Sequence, residues 1–367
     1  MATAPKRVPA AELLTPGDRA PNFLLPDRRD MFISIYDKIS GGPVFALFYP
    51  DNRDPGSAGE LRRLFAVAPE IVAAGGHVFT VGDESVAALQ HLPGEQAEDI
   101  WTVCDPQRRA AGRWGTRGGL VGFVCDANMR VVAMLKPGKE PIADRALEEI
   151  RKHPRAAPTP MGLHPPILVL EDAIERDFCR YLIDRFDRGD TEESGTFRVV
   201  DGKVMNAPDH SKKRRHDLYA TGKLHDEIAS LVGRRVLTEI QRAFHSNPHY
   251  VEEFKIVRYS ADPGGYFRPH RDNTTPATAH RRFAMTLNLN SEEYEGGELR
   301  FPEYGNASYK PKTGTAVVFS CNLLHEATDV LTGHRYVLLS FIYDDDGLQM
   351  LERYRQAQAR MRGGVRA

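Results

Sequence analysis

The chain is poor in cysteine and tryptophan and carries almost no net charge. Its four cysteines, Cys104, Cys125, Cys179 and Cys321, lie far apart and form no Cys-x-x-Cys pair. That spacing excludes a cysteine-rich zinc site and argues against a disulfide framework. Lys+Arg total 49 against 50 Asp+Glu, a formal charge of −1, so no global basic field points to nucleic acid and no acidic excess points to disorder. No run of about 18 apolar residues is present, which excludes a membrane-spanning helix. The first 20 residues, MATAPKRVPAAELLTPGDRA, lack the apolar stretch of roughly 7–15 residues that a secretory signal carries. Together these absences predict a reduced, cytoplasmic protein. What is present is ordinary globular material, 41% hydrophobic and 27% charged over 367 residues. At roughly 100–200 residues per domain, that length predicts two domains.

The pattern changes near the middle. In the first half, PVFALFY (43–49) and HVFTV (77–81) read as buried strands on either side of a helix over 57–74. The helix is expected to start at a capping Ser57, with Glu60 completing a capping box, and to end at Gly75-Gly76. LVGFVC (120–125) and VVAML (131–135) read as a hairpin turning at Asp126-Ala127-Asn128. Strand, helix, strand and hairpin make an α/β sandwich, assigned to residues 1–152. Residues 153–166, rich in proline, read as a stiff linker. Residues 167–367 form the second domain. A strand-like 167–170, helices over 171–186 and 224–244, and short strands over 254–259, 283–289, 298–301, 314–319 and 335–343 predict a barrel or jelly roll. A closing helix spans 348–362. The arginines of that last helix are expected on a solvated face.

One constellation carries chemistry. GYFRPHRDN (265–273) holds His270 and Asp272 two positions apart, so on a strand both side chains point to one face. His325 follows 55 residues later, just past GTAVVF. Two imidazoles and one carboxylate are the ligands of a facial triad, which leaves the opposite face of a divalent metal open. Zinc would accept the same atoms as iron. Arg335, ten residues beyond His325, could clamp a carboxylate with two parallel hydrogen bonds. A metal triad with a carboxylate-binding arginine suits 2-oxoglutarate, whose keto-acid end chelates the metal. His280 and His334 are expected to stay out of the triad. His334 has the wrong strand parity relative to Arg335, and His280 falls in a polar loop.

Several stretches resemble the Fe(II)/2-oxoglutarate-dependent oxygenases of the prolyl-hydroxylase-like branch: ILVLEDAIERDFCRYLI, VRYSADPGGYFRPHRDN, FAMTLNLNSEEYEGGELRFPE and GTAVVFSCNLLHEATDVLTGHRYVLLSFIY, together covering about residues 165–345. The resemblance implies a double-stranded β-helix (jelly roll) with flanking helices. It implies Fe(2+) on His270, Asp272 and His325, with 2-oxoglutarate on Arg335 and O2 as the oxidant. It also brings Tyr259 to the cosubstrate, Tyr266, Leu299 and Phe341 to the pocket wall, and ascorbate as a candidate reductant. The implied reaction hydroxylates an unactivated C–H in a protein residue or a small metabolite and releases succinate and CO2. An intact Asp272 argues against halogenation. GDRAPNFLLPD and FALFYPDNRDPGSAGELRRL resemble the peroxiredoxin branch of the thioredoxin fold, with Ser57 in the place of the peroxidatic cysteine. A serine hydroxyl forms neither a thiolate nor a sulfenic acid. The first half is therefore expected to be a non-catalytic scaffold or docking domain for a protein partner. The rival readings are a 2-oxoglutarate-binding sensor with little turnover and, less favoured, a thiol peroxidase. The basic run SKKRRH (211–216) is expected as a solvated loop near the site entrance, with an acidic substrate or nucleic acid as the alternative contact. Neither a membrane nor nucleic acid is expected as a partner.

Overall fold

The computed structural model describes residues 14–39, 41–89, 100–116, 118–155, 157, 162–200 and 203–363. The chain divides into two compact units near residue 160. The Pro-rich segment 153–166 falls partly outside the described residues. No helix among the described residues is long and apolar enough to cross a membrane.

The first unit is built on a five-stranded sheet. Its strands run in the order Ile100–Cys104, His77–Gly82, Val44–Tyr49, Val121–Cys125, Val131–Leu135. The first three are parallel and the last two antiparallel. A βαβ unit joined edge to edge with a hairpin and a closing helix is the thioredoxin-like arrangement. Val44–Tyr49 and His77–Gly82 are buried at every position, as apolar runs covered on both faces must be. Helices Pro55–Ala73 and Ile142–Lys152 cover one face through Leu61, Leu64, Ile71, Ile142, Ala146 and Ile150. Phe23, Phe48, Phe79, Trp114 and Phe123 fill the other.

The long helix departs from expectation at its start. Its N-cap is Asp54, whose carboxylate accepts the Ser57 backbone N–H at 2.8 Å, and Pro55 occupies the first turn. Ser57 lies inside the helix with its hydroxyl buried and without a hydrogen-bond partner. Glu60 does not close a capping box; it accepts from Ile142 N–H at 3.0 Å and ties the two helices together. All four cysteines are buried and free. Burial pushes the Cys179 thiol up to about 12 and raises Cys125 and Cys321 further still.

The second unit is a double-stranded β-helix. Its large antiparallel sheet has the order Ile167–Leu170, Ala316–Ser320, Phe283–Asn288, His334–Tyr343, Lys255–Ser260, His216–Tyr219, Glu192–Glu193. The small sheet has the order Lys213–Arg214, Tyr266–His270, His325–Ala327, Leu299–Arg300, Ser308–Tyr309. Period-two alternation sorts the large sheet's side chains. Ile256, Phe283, Leu287, Val318, Leu338 and Ile342 face a core shared with the helices. Tyr259, Arg335, Val337, Leu339 and Phe341 face the cavity inside the barrel. Both faces are covered, so these strands read as continuous apolar runs. The helix expected over 171–186 starts at Arg176 instead. The one expected over 224–244 runs Gly222–Val232 and Thr238–Phe244 through a π-type turn at Gly233–Leu237. Arg235 of that turn is buried and pairs with Glu175 at 2.8 Å.

The corrected helix start is testable. Asp54→Ala removes the cap and is expected to cost about 1 kcal/mol. Ser57→Ala removes only an unpaired buried hydroxyl and is expected to be neutral or stabilising. Urea denaturation that ranked the two variants the other way would restore serine as the cap.

Candidate active site

His270 is the last residue of the Tyr266–His270 strand and stands directly across from His325, the first residue of His325–Ala327. Asp272 lies past the strand end, where its backbone N–H donates to the Cys321 carbonyl at 3.0 Å. The expected strand alternation is therefore not what joins His270 to Asp272. A register shift between Phe267 and His270 breaks the parity and turns both residues into the cavity. The ligand atoms of His270, Asp272 and His325 lie within 4.8 Å of one another. His270 Nε2 is 3.4 Å from Asp272 Oδ1, and His325 Nε2 is 3.3 Å from Asp272 Oδ2.

The proton positions follow from the neighbours. His270 Nδ1 lies 2.8 Å from the Arg268 carbonyl, and His325 Nδ1 lies 3.0 Å from the Leu323 carbonyl. A carbonyl only accepts, so each Nδ1 carries the proton and each Nε2 of a neutral ring presents a lone pair. Two imidazole lone pairs and a carboxylate then meet with no proton among them, a donor set that calls for a cation. Burial lowers the His325 pKa, with Asp272 opposing, and so favours the neutral ligand form. Asp272 is buried too, which would raise its pKa, but positive charge on His325 and His270, wherever those rings are protonated, and on the Arg281 guanidinium outweighs burial and holds the carboxyl below its usual range. The donor set fits a divalent first-row metal with one face left open.

The surroundings fix these ligands. Phe267 stacks on His270 with ring centroids 3.4 Å apart and an interplanar angle of 18°. Phe319 meets His325 edge-on at 4.6 Å. Arg281 donates to the Asp272 carbonyl at 3.3 Å, is gripped by Glu252 at 2.7 and 2.8 Å, and lays its guanidinium 3.6 Å from the Phe341 ring centroid. His280 Nε2 sits 2.8 Å from that same Glu252, and neither it nor His334 joins the cluster.

Arg335, Tyr259, Leu299 and Phe341 line one cavity with the triad. Tyr259 and Arg335 are cross-strand partners. Arg335 is 4% exposed, and its Nε has no hydrogen-bond partner. Tyr266 is a correction. The register shift that brings Phe267 inward leaves Tyr266 outside, where its hydroxyl donates to the His210 carbonyl and its ring lies 3.8 Å from the Arg268 guanidinium. The SKKRRH run is a second correction. Lys213 and Arg215 are buried, and Arg215 lines the cavity. The missed signal was alternation: Lys213, Arg215 and Asp217 are the inward positions of a strand-like stretch.

Comparison with known proteins agrees with this geometry. The family model described as the 2OG-Fe(II) oxygenase superfamily matches residues 254–343, which hold all three clustered residues and Arg335. A PKHD-type hydroxylase of Cupriavidus metallidurans is 31% identical over 173 residues, 41% of this chain and 72% of that protein. A multifunctional procollagen lysine hydroxylase and glycosyltransferase of Caenorhabditis elegans is 33% identical over 89 residues, 24% of this chain; the chain spans only 12% of that protein's length. Among solved structures, the peroxidoxin BcpB of Mycobacterium tuberculosis is 22% identical and covers 38% of this chain and 97% of its own, with a TM-score of 0.34. With the family model lying over the metal-site strands, and the Cupriavidus relative matched over 72% of its own length, the chain belongs to the 2OG-Fe(II) oxygenase superfamily.

Proposed function

We propose that this oxygenase hydroxylates an unactivated C–H bond, using Fe(2+) on His270, Asp272 and His325 and 2-oxoglutarate anchored by Arg335, and releases succinate and CO2. One observation carries the reading. Three lone-pair donors converge without a proton in the same cavity whose wall holds a buried arginine with a partnerless Nε. Bound iron would supply the activation of O2 and the oxidative decarboxylation of the cosubstrate. The chain's own residues do the rest. The two backbone carbonyls fix the tautomer in which each neutral ring turns its Nε2 lone pair to the metal position. Arg281 holds the Asp272 backbone, and through it the carboxylate, in place. Arg335 meets a carboxylate, which a buried guanidinium needs to offset its desolvation. Phe267, Leu299, Phe319 and Phe341 give the cavity apolar walls that keep water from the reacting face.

A peptidyl prolyl residue is the favoured substrate, with a lysyl residue or a free metabolite as the next to test. The first unit serves as a scaffold or docking domain for a protein partner rather than as a peroxidase. Its cysteine slot is Ser57, and the pKa of Cys104 and of Cys125 is raised by burial.

The decisive assay supplies Fe(II), 2-oxoglutarate, O2 and ascorbate to the protein with proline peptides, lysine peptides and free amino acids. Succinate is quantified, and mass spectrometry reads products that gain one oxygen atom. Cosubstrate binding with no succinate from any substrate would favour a sensor instead. Asp272→Ala is expected to lose iron binding and succinate release together; undiminished release would remove Asp272 from the site. Arg335→Ala is expected to raise the 2-oxoglutarate requirement about 10- to 100-fold, the weight of one charge-assisted hydrogen-bonded contact. An unchanged requirement would refute the clamp. Ser57→Ala is expected to leave turnover unchanged, and its loss would show that the first unit takes part in the chemistry.

A further inference from the structure

The basic run that reads as a solvated loop instead sends Arg215 into the cavity wall. Arg215 is 7% exposed. Its Nε lies 3.0 Å from Asp217 Oδ1 and its Nη2 lies 3.3 Å from Asp217 Oδ2. Its Nη1 donates to the Tyr259 hydroxyl oxygen at 3.0 Å. Asp217 is held from behind by the Ser194 hydroxyl at 2.9 Å and by Lys255 at 3.8 Å. Arg215 is therefore fixed from one side and spends its remaining arm on Tyr259.

The consequence lies in donor and acceptor arithmetic. A guanidinium has five N–H donors and no acceptor. A phenol has one proton and can accept through its oxygen. Because Arg215 donates to that oxygen, the Tyr259 proton must point elsewhere, and among the described residues it reaches no acceptor of its own. The other polar neighbour is Arg335, the cross-strand partner of Tyr259, with its guanidinium carbon 5.1 Å from the Tyr259 ring centroid. It too offers only donors. The Tyr259–Arg335 pair therefore turns hydrogens toward the cavity. The local charge is positive on balance: Lys213, Arg215 and Lys255 surround the Asp217 carboxylate. Burial, and then the charge of Arg215, push the Lys213 amine down to about 7.

We propose that Arg215 is a positioning residue that sets the rotation of the Tyr259 hydroxyl, so that Tyr259 and Arg335 together present donors to an ionised terminal carboxylate. This rests on the reading of the cavity as the 2-oxoglutarate site. It adds a specificity rule: 2-oxoglutarate is accepted and its terminal amide is rejected. The amide's NH2 would meet the Tyr259 and Arg335 donors where the acid offers an oxygen, and an unpaired buried donor is costly.

The test is a double-mutant cycle with two ligands. KM for 2-oxoglutarate, KM for its C5 amide and iron affinity are measured for the wild type, Arg215→Met, Tyr259→Phe and the double variant. The wild type is expected to prefer the acid strongly. Each single variant should raise the KM for the acid about tenfold, the amide's much less, with iron affinity within twofold of wild type. The double variant should be no worse than either single one. Multiplicative effects, or a fall in kcat with KM unmoved, would overturn the role of Arg215 and leave the 2-oxoglutarate site standing. A wild type that neither binds nor consumes 2-oxoglutarate overturns both. Should Arg215→Met fail to fold because it strands Asp217, Arg215→Met combined with Asp217→Asn removes the donor without a buried unpaired carboxylate, and the same loss of acid-over-amide preference is expected. An undiminished preference in that protein overturns the proposal.

Discussion

The second unit depends on one electrostatic constraint: two imidazole lone pairs and a carboxylate are held together in a buried place with no proton to share. Such a cluster is unfavourable by itself, since burying charge and facing lone pairs both cost free energy. It persists because the protons that could relieve it are tied elsewhere. Each ring donates its one Nδ1 proton in a hydrogen bond to a backbone carbonyl, that of Arg268 for His270 and that of Leu323 for His325. His325 is buried enough to resist taking a second one. A metal ion is the natural relief, and the surrounding barrel supplies the rigidity that keeps the ligands converged without it.

The cavity has two chemically opposite parts, and the strand period generates both. On the small sheet a register shift turns Phe267 and His270 into the cavity, and His325 stands across from His270. On the large sheet the odd-numbered positions of His334–Tyr343 bring in Arg335, Val337, Leu339 and Phe341. The triad supplies lone pairs. Arg335, Tyr259 and Arg215 supply hydrogens. A ligand with a chelating keto acid at one end and a carboxylate at the other matches that polarity, whereas a ligand with a cationic or amide tail does not.

Much of this was legible in the sequence because it rests on residue type and spacing. His270, Asp272, His325 and Arg335 are recognisable from their chemistry and order. The apolar runs 283–289 and 335–343 give away strands covered on both faces. What the sequence concealed depends on geometry that leaves no periodic trace. The register shift that turns Phe267 inward and Tyr266 outward cannot be read from GYFRPH, where strict alternation predicts otherwise. Ser57 resembles a cap because it stands before an apolar stripe, but Asp54-Pro55 forms the first turn and wins on backbone geometry. The basic run misleads for a different reason. Adjacent cations usually face solvent, and here a single carboxylate two residues on, Asp217, makes burial of Arg215 affordable. The charge pattern alone gives no hint of which member turns inward; only the alternation with Asp217 does.

The same reasoning bears on the first unit. A peroxidatic thiol works because a helix N-terminus and its neighbours favour the thiolate. Here the helix N-terminus is already answered by the Asp54 carboxylate, and the residue in the cysteine slot is a buried serine whose hydroxyl has no partner. Restoring a cysteine at that position would place a thiol beside a carboxylate in a buried environment, and both raise a thiol's pKa. The slot has therefore lost its electrostatic support as well as its nucleophile. The fold that remains is complete, with apolar residues on both faces of its sheet and two helices joined by Glu60 and by the Arg63–Asp144 pair. An intact core around a slot that holds serine instead of a thiol is consistent with the docking role proposed for this unit.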